Sequence, residues 1–295
     1  MTTTDSRLIG LIGSGVGPSF SPALHEREAA AHGLRYAYRT IDIAALGLAA
    51  ESAGELVSWG RRLGFDGFNI THPCKQSVIP FLDELSEDAQ LLGAVNTVTF
   101  DGDRAIGHNT DWTGFARSFA RGLPDAPTGR IVQLGAGGAG AAVAYALLTL
   151  GADELLIVDT DAARADALAA NAAGRFGSGR IVAASPTELP ELLATADGLA
   201  HATPTGMAAH PGLPLAAELL RPDLWVAEIV YRPLETELLR AARAAGCPTL
   251  DGGGMVVFQA AEAFRLFTGI TPDADRMLDH LAELAESEPD MESRA

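Results

Sequence analysis

The 295-residue chain carries 38 Asp and Glu against 21 Lys and Arg, a formal net charge of −17, and is 47% hydrophobic and 6% aromatic. At roughly 100–200 residues per domain, that length suggests two domains, each able to bury a core without disulfides or metals. An acidic balance without clustered Lys or Arg argues against nucleic acid or an anionic membrane surface as partner. Two cysteines, Cys74 and Cys247, a polar start and no apolar run near the ~20 residues that span a bilayer make the cytoplasm the expected location.

Short apolar runs alternate with longer helical stretches, the pattern of a parallel sheet covered by helices, so the expected fold class is α/β. Residues 8–12, 36–43 and 67–71 read as strands, with helices near 22–32 and 45–63. A further strand, 94–100, follows the amphipathic stretch 75–92, and a helix is expected to begin near Thr110. The turn-rich segment 121–130, with two prolines and two glycines, suits a domain boundary. Beyond it, strand 131–134 runs into Gly135-Ala136-Gly137-Gly138-Ala139-Gly140 and an Ala-rich helix ending at Leu150, which Gly151 is placed to stop in the left-handed conformation. Strands at 155–158, 181–183, 198–203 and 225–230, with a helix at 162–173, complete a doubly wound domain. Helices at 255–268 and 273–286 are suited to return to the N-terminal domain, and the acidic end is expected to be disordered. The expected organisation is an N-terminal α/β domain over 1–109, a dinucleotide-binding domain over 110–252, returning helices over 253–286 and a tail over 287–295.

The glycine motif gains weight from its context. Directly after a strand and opening a helix, Gly135 can make the tight turn, Gly137 can let the backbone approach a pyrophosphate, and Gly140 can let helix and strand pack closely. Ala136, Gly138 and Ala139 complete the predicted phosphate turn. Asp159 stands 24 positions after Gly135, where a carboxylate accepts both ribose hydroxyls of NAD and repels a 2′-phosphate. With Asp161 close by and only Arg164 as a nearby base, NAD is expected and NADP disfavoured. A second glycine loop, Gly13-Ser14-Gly15-Val16-Gly17, has the wrong spacing and ends in Pro18, so it reads as a loop that approaches something small.

Four polar clusters fall at strand ends or loops: Ser19-Phe20-Ser21-Pro22, residues 69–75 (NITHPCK), 93–97 (GAVNT) and 107–111 (GHNTD). Taken singly, Ser21 and Asp111 are plausible helix caps and Lys75 a solvated helix charge. Their order and spelling, followed by the glycine motif and then by 201–204 (HATP), 231–236 (YRPLET) and 251–259, resemble the shikimate dehydrogenase family, including its quinate/shikimate branch. The resemblance runs from Gly10 to about Met277. It implies an N-terminal substrate domain joined to a Rossmann domain, and a small cyclic hydroxy acid as partner. Ser19, Ser21 and Tyr231 would receive the substrate carboxylate, and Thr71, Asn96 and Gln259 the ring hydroxyls. Lys75 and Asp111 would be the catalytic pair, and Thr203 and Pro204 would lie at the cofactor. A lysine near an acid can shuttle the hydroxyl proton as hydride leaves the same carbon.

Three departures stand out from the family pattern: His201 in place of Asn, Cys74 before the lysine, and the pair Gly253-Gly254, which could enlarge the substrate pocket. Cys74 reads as a small buried hydrophobe. No metal-ligand spacing is present, so no metal is expected. Ser21, where quinate users carry Thr, leans toward shikimate. The alternatives are an aminoshikimate or aminoquinate dehydrogenase, a methylenetetrahydrofolate dehydrogenase, or a non-catalytic NAD and metabolite sensor, in a monomer or homodimer.

Overall fold

In a computed structural model, residues 6–287 are described. They divide into two compact units: the chain up to Thr110 together with the stretch from Gln259 on, and Asp111–Phe258. The expected tail lies outside the described residues over 288–295, whereas Ser287, also expected in the tail, still belongs to the last helix.

The first unit is built on the apolar run of β1 (Ser6–Gly13), whose last five residues are all buried, as suits a strand covered on both faces. After it come α1 (Ser21–Ala31), β2 (Arg35–Asp42), α2 (Ala53–Arg62), β3 (Gly67–Ile70), α3 (Cys74–Ser77), β4 (Glu84–Leu85), α4 (Glu87–Leu92), β5 (Thr97–Asp101) and β6 (Arg104–His108). The sheet order is β2-β1-β3-β5-β6-β4, parallel at β2-β1-β3 and at β6-β4, antiparallel through β3-β5-β6. Two expectations change here. The helix expected over 45–63 starts only at Ala53, because the Asp42 carboxylate accepts the Ala44 and Ala45 N–H groups and holds a turn. The stretch 75–92 breaks into α3, a 3-10 turn at Ile79–Phe81 containing Pro80, β4 and α4. Asp83 ties that stretch to the sheet by accepting the Ala105 N–H at 2.7 Å, and the Ser86 hydroxyl caps α4.

One face of this sheet buries Ile12, Val57, Phe68, Ile70 and Val78. On the other, Ile9, Leu11 and Tyr38 pack with Ala263 and Phe267, so the C-terminal stretch does return to this unit. Its last helix is latched by Glu28, only 1% exposed, which accepts from Arg276 Nε and Nη2 at 2.8 and 2.7 Å and from the Asp273 N–H at 2.8 Å. Burial raises this carboxyl, but Arg276, the Asp273 amide and His32 outweigh burial and hold it below its ordinary value.

His25, on α1, is buried among Tyr36, Tyr38, Phe264 and Phe267, with Nδ1 3.0 Å from the Tyr36 hydroxyl. Burial lowers its pKa to about 3. The unfolded chain therefore takes this proton first, and the group's contribution to stability drains away as pH falls below about 6.5, by up to ~1.4 kcal/mol per pH unit. His25→Phe should flatten the fall of the urea-unfolding free energy between about pH 6.5 and 4. Parallel curves for the two proteins would refute this.

The second unit contains α5 (Asp111–Gly122), β7 (Arg130–Leu134), α6 (Gly138–Thr149), β8 (Glu154–Val158), α7 (Ala162–Phe176), β9 (Ile181–Ala184), α8 (Leu189–Thr195), β10 (Gly198–His201), β11 (Trp225–Glu228), α9 (Glu237–Ala244) and β12 (Thr249–Leu250). The helices α10 (Gly253–Thr268), which begins in this unit, and α11 (Ala274–Ser287) end the described chain. All pairings in the sheet are parallel, in the order β9-β8-β7-β10-β11-β12. That is the 3-2-1-4-5-6 order of a dinucleotide-binding Rossmann domain, with its switch point between β7 and β10. Phe115, Phe119, Val143 and Leu147 pack on one face and Leu193 and Leu238 on the other.

Here too the strands end early. β10 stops at His201 and β11 at Glu228, because Glu228 turns its carboxylate back to accept the Val230 N–H at 2.9 Å. Gly254 packs so closely on α5 that a Cβ there would collide with Ser118 Oγ, so this glycine serves helix packing.

Candidate active site

Within the first unit, the loop after β1 and the first turn of α1 carry Ser19 and Ser21. The Ser21 N–H donates to Ser19 Oγ at 3.2 Å, and Ser21 is the first helical residue rather than a cap. In the same unit Tyr38, buried on β2, opens a chain of donors and acceptors. Tyr38 donates to Asn69 Oδ1 at 2.8 Å, Asn69 Nδ2 to Thr97 Oγ1 at 3.0 Å, and Thr97 to Asn96 Oδ1 at 3.0 Å. Asn96 Nδ2 then donates to Thr110 Oγ1 at 2.9 Å, while Asn96 Oδ1 accepts the Thr110 N–H at 2.8 Å. Burial raises the Tyr38 phenol well above its ordinary value, so it keeps the proton it donates. Tyr38 and Asn96 are thus joined and oriented through residues that all lie inside this unit.

Thr71 follows β3 and abuts the glycine loop after β1: a Cβ on Gly13 would collide with its methyl group. Its carbonyl accepts the Cys74 N–H at 2.8 Å, opening α3, on which Lys75 is half-buried. The Lys75 carbonyl accepts the Val95 N–H at 2.8 Å, which fixes its backbone beside Asn96. Cys74 is fully buried, and burial raises its thiol, as befits a small hydrophobe. Gln259 is half-buried on α10.

In the second unit, Asp111 is the first residue of α5 and is buried, and Tyr231 is half-buried beyond the end of β11. At the switch point, Gly135 has φ +101°, and a Cβ there would lie 2.5 Å from the Ala202 carbonyl oxygen. A Cβ on Gly140 would collide with the Gly135 carbonyl oxygen. By contrast, Gly137 and Gly138 are exposed, with no heavy atom within 4 Å of an added Cβ, and Gly137 caps α6 without a side chain. Crowded glycines thus hold the turn, while the open ones leave space at the N-terminus of α6. Ala136 and Ala139 are half-buried within the same turn.

At the end of β8, Asp159 Oδ2 accepts the Ala136 N–H at 2.7 Å and Oδ1 the Asp161 N–H at 2.8 Å. Asp161 caps α7 and lies 3.2 Å from Arg164 Nε. Thr203 is half-buried beside Gly135, and Pro204 is exposed. Among the described residues, no cluster of three or more His, Cys, Asp or Glu side chains is placed to hold a metal ion, and no helix is long and apolar enough to cross a membrane.

Residues 11–98 match the family model of the shikimate dehydrogenase substrate binding domain, and residues 252–281 that of the shikimate 5′-dehydrogenase C-terminal domain. A Streptomyces avermitilis protein named shikimate dehydrogenase (NADP(+)) is 69% identical over 96% of this chain and 97% of its own. The chain belongs to the shikimate dehydrogenase family. A quinate/shikimate dehydrogenase (NAD(+)) of Corynebacterium efficiens is 50% identical over 92% of this chain and 96% of its own. Quinate dehydrogenase from Corynebacterium glutamicum, solved in complex with NAD, superposes with a TM-score of 0.90 at 48% identity, covering 95% of this chain and 99% of that one.

For this shikimate dehydrogenase family oxidoreductase, sequence reasoning missed the residues behind the predicted ones. Tyr38, Asn69 and Thr97 form the hydrogen-bond chain that orients Asn96. Gln133, fully buried, donates from Nε2 to the carbonyls of both Gly135 and Gly140 at 2.8 Å, stapling the turn to the helix. In an apolar strand, Gln133 was the visible signal: a polar residue facing a core needs a partner.

Proposed function

We propose that the chain is an NAD-dependent dehydrogenase that interconverts shikimate and 3-dehydroshikimate, with quinate as a related substrate. The observation that carries the cofactor choice is Asp159, whose carboxylate is aimed by one backbone N–H on each oxygen. A carboxylate has about four acceptor sites, so one on each oxygen remains for a ribose hydroxyl. A 2′-phosphate of about −1.5 to −2 charge would meet Asp159 and Asp161 instead, with the nearest guanidinium already engaged by Asp161. The relatives' names divide between NADP(+) and NAD(+), and this local chemistry favours NAD.

On this proposal, the hydroxyls of Ser19, Ser21 and Tyr231 donate to the ring carboxylate, and Thr71, Asn96 and Gln259 hold the ring hydroxyls. Lys75 Nζ takes the proton of the reacting hydroxyl during oxidation and returns it to the carbonyl oxygen during reduction. Asp111 orients the reacting hydroxyl. The nicotinamide, when bound, supplies the hydride acceptor or donor. Gly137 and Gly138 admit the pyrophosphate, and Thr203 and Pro204 border the same crevice.

Steady-state rates with shikimate and quinate, each with NAD and NADP, test this reading. The expected kcat/KM is at least about tenfold higher with NAD, and Asp159→Ala should raise the KM for NAD and narrow the preference. Equal or better use of NADP by the unmodified protein would sink the cofactor assignment.

A further inference from the structure

We infer that His201, held by Glu228, is a positioning residue that fixes the Thr203 hydroxyl as a hydrogen-bond acceptor for an N–H or O–H donor on the bound dinucleotide. The inference rests on the dinucleotide reading above and adds a mechanism for its recognition. Parallel register sets His201 beside Leu134 on one side and Glu228 on the other, at the carboxyl ends of β7, β10 and β11. The side chains of both His201 and Glu228 are 0% exposed. Burying two such groups is costly unless every polar atom is satisfied, and an apolar pair would fill the space without that cost.

Every group facing the Glu228 carboxyl group is a donor. Oε1 accepts the Val230 N–H at 2.9 Å, and Oε2 accepts the Thr236 hydroxyl at 3.2 Å. The Thr236 proton is itself directed there, because Thr236 Oγ1 accepts the Leu239 N–H at 3.2 Å as the cap of α9. His201 Nδ1 lies 2.9 and 3.0 Å from the two carboxylate oxygens, so Nδ1 carries a proton. In the neutral ring, Nε2 is then an acceptor. The hydrogen-bond partner of Nε2 is Thr203 Oγ1, whose single proton is therefore drawn inward.

Thr203 Oγ1 also accepts the Thr205 N–H at 3.2 Å. A hydroxyl has one proton and two lone pairs, so what it has left for a ligand is one lone pair. The residue sits beside Gly135, since a Cβ on that glycine would come within 3.0 Å of the Thr203 methyl group. At the switch point, the protein thus offers an acceptor of fixed polarity. A carboxamide N–H or a ribose O–H satisfies it, while an acceptor atom in the same place is repelled.

Two measurements on the full-length protein test this. The first is the nitrogen NMR spectrum of histidine-labelled protein without nucleotide, with His201→Asn as the assignment control. Nδ1 protonated and Nε2 bare is the expected result; a proton on Nε2, in the other tautomer or the imidazolium, overturns the inference. The second is the Kd for NADH and NADPH, by fluorescence titration, of the unmodified protein, His201→Asn, Thr203→Val, the double variant and Thr203→Ser. Asn reaches Glu228 but not Thr203. Each of the first two single variants should weaken NADH binding by about 3- to 10-fold, with Thr203→Ser close to the unmodified protein. The double variant should bind as Thr203→Val does, because His201 acts through that hydroxyl. Losses that multiply instead overturn the positioning role alone. Failure of the unmodified protein to bind either nucleotide overturns the dinucleotide reading and this inference together. Thr203 is half-buried, so its variants keep the test decisive even if His201→Asn fails to fold.

Discussion

Lys75→Ala is expected to lower kcat for shikimate oxidation by about 10²- to 10⁴-fold, with a much smaller change in substrate KM. The size follows from the proposed role: without Nζ, the hydroxyl proton leaves to water while hydride is transferred, and the alkoxide-like charge loses its partner. The variant should fold normally. Cys74 remains buried, the Lys75 carbonyl still accepts the Val95 N–H, and the Ser77 hydroxyl still donates to the carbonyls of Ala50 and Cys74. A kcat near that of the unmodified enzyme would assign Lys75 to substrate positioning instead of proton transfer. Asp111→Asn, which keeps the size of the side chain but removes its charge, should also depress kcat.

Gly140→Ala is expected to weaken NADH binding by about 5- to 150-fold and to destabilise the fold by about 1–3 kcal/mol. The new methyl group would overlap the Gly135 carbonyl oxygen and come within 3.2 Å of Gln133 Nε2. Backbone, not a flexible side-chain tip, stands in the way, so α6 must move off the turn and break the Gln133 staple. Gly137→Ala is the matched control. Its Cβ would enter open space at φ −74°, so its melting temperature should be unchanged while NADH binding still weakens, because the methyl group occupies the pyrophosphate's approach. Equal melting temperatures and equal NADH affinities for all three proteins would refute the account of the turn.

The glycine motif, Asp159 and the strands flanking them were legible because each reports on its own neighbourhood: an apolar run, a helix start, a carboxylate at a strand end. Gly151, with φ +104°, closes α6 as its place in the sequence suggested. The misses share a cause. β4 and β12 have two residues each, too short for any periodicity. The stretch 75–92 is amphipathic throughout, yet Pro80 and the Asp83 bond to Ala105 divide it. Asn69, Gln133, His201 and Glu228 break into apolar strands, and in sequence they look like defects in a pattern. Only register, which sets His201 beside Glu228, makes them partners. The departure at His201 was visible from the sequence; what it bonds to was not.

The close approach of Gly254 to Ser118 bears on the order in which the chain assembles. The first unit is split in sequence by the 148 residues of Asp111–Phe258, and its Glu28–Arg276 latch cannot form until synthesis has passed residue 276. Closing a flexible loop of that length costs about 4 kcal/mol in chain entropy. The intervening unit is contiguous, so it can fold first as it leaves the ribosome, and its own packing seats the start of α10 on α5. That contact brings residues 111 and 258 into one folded body before the latch closes. The distant halves of the first unit are then joined by a rigid tether instead of a long random loop, and vectorial synthesis meets a discontinuous fold at little entropic cost.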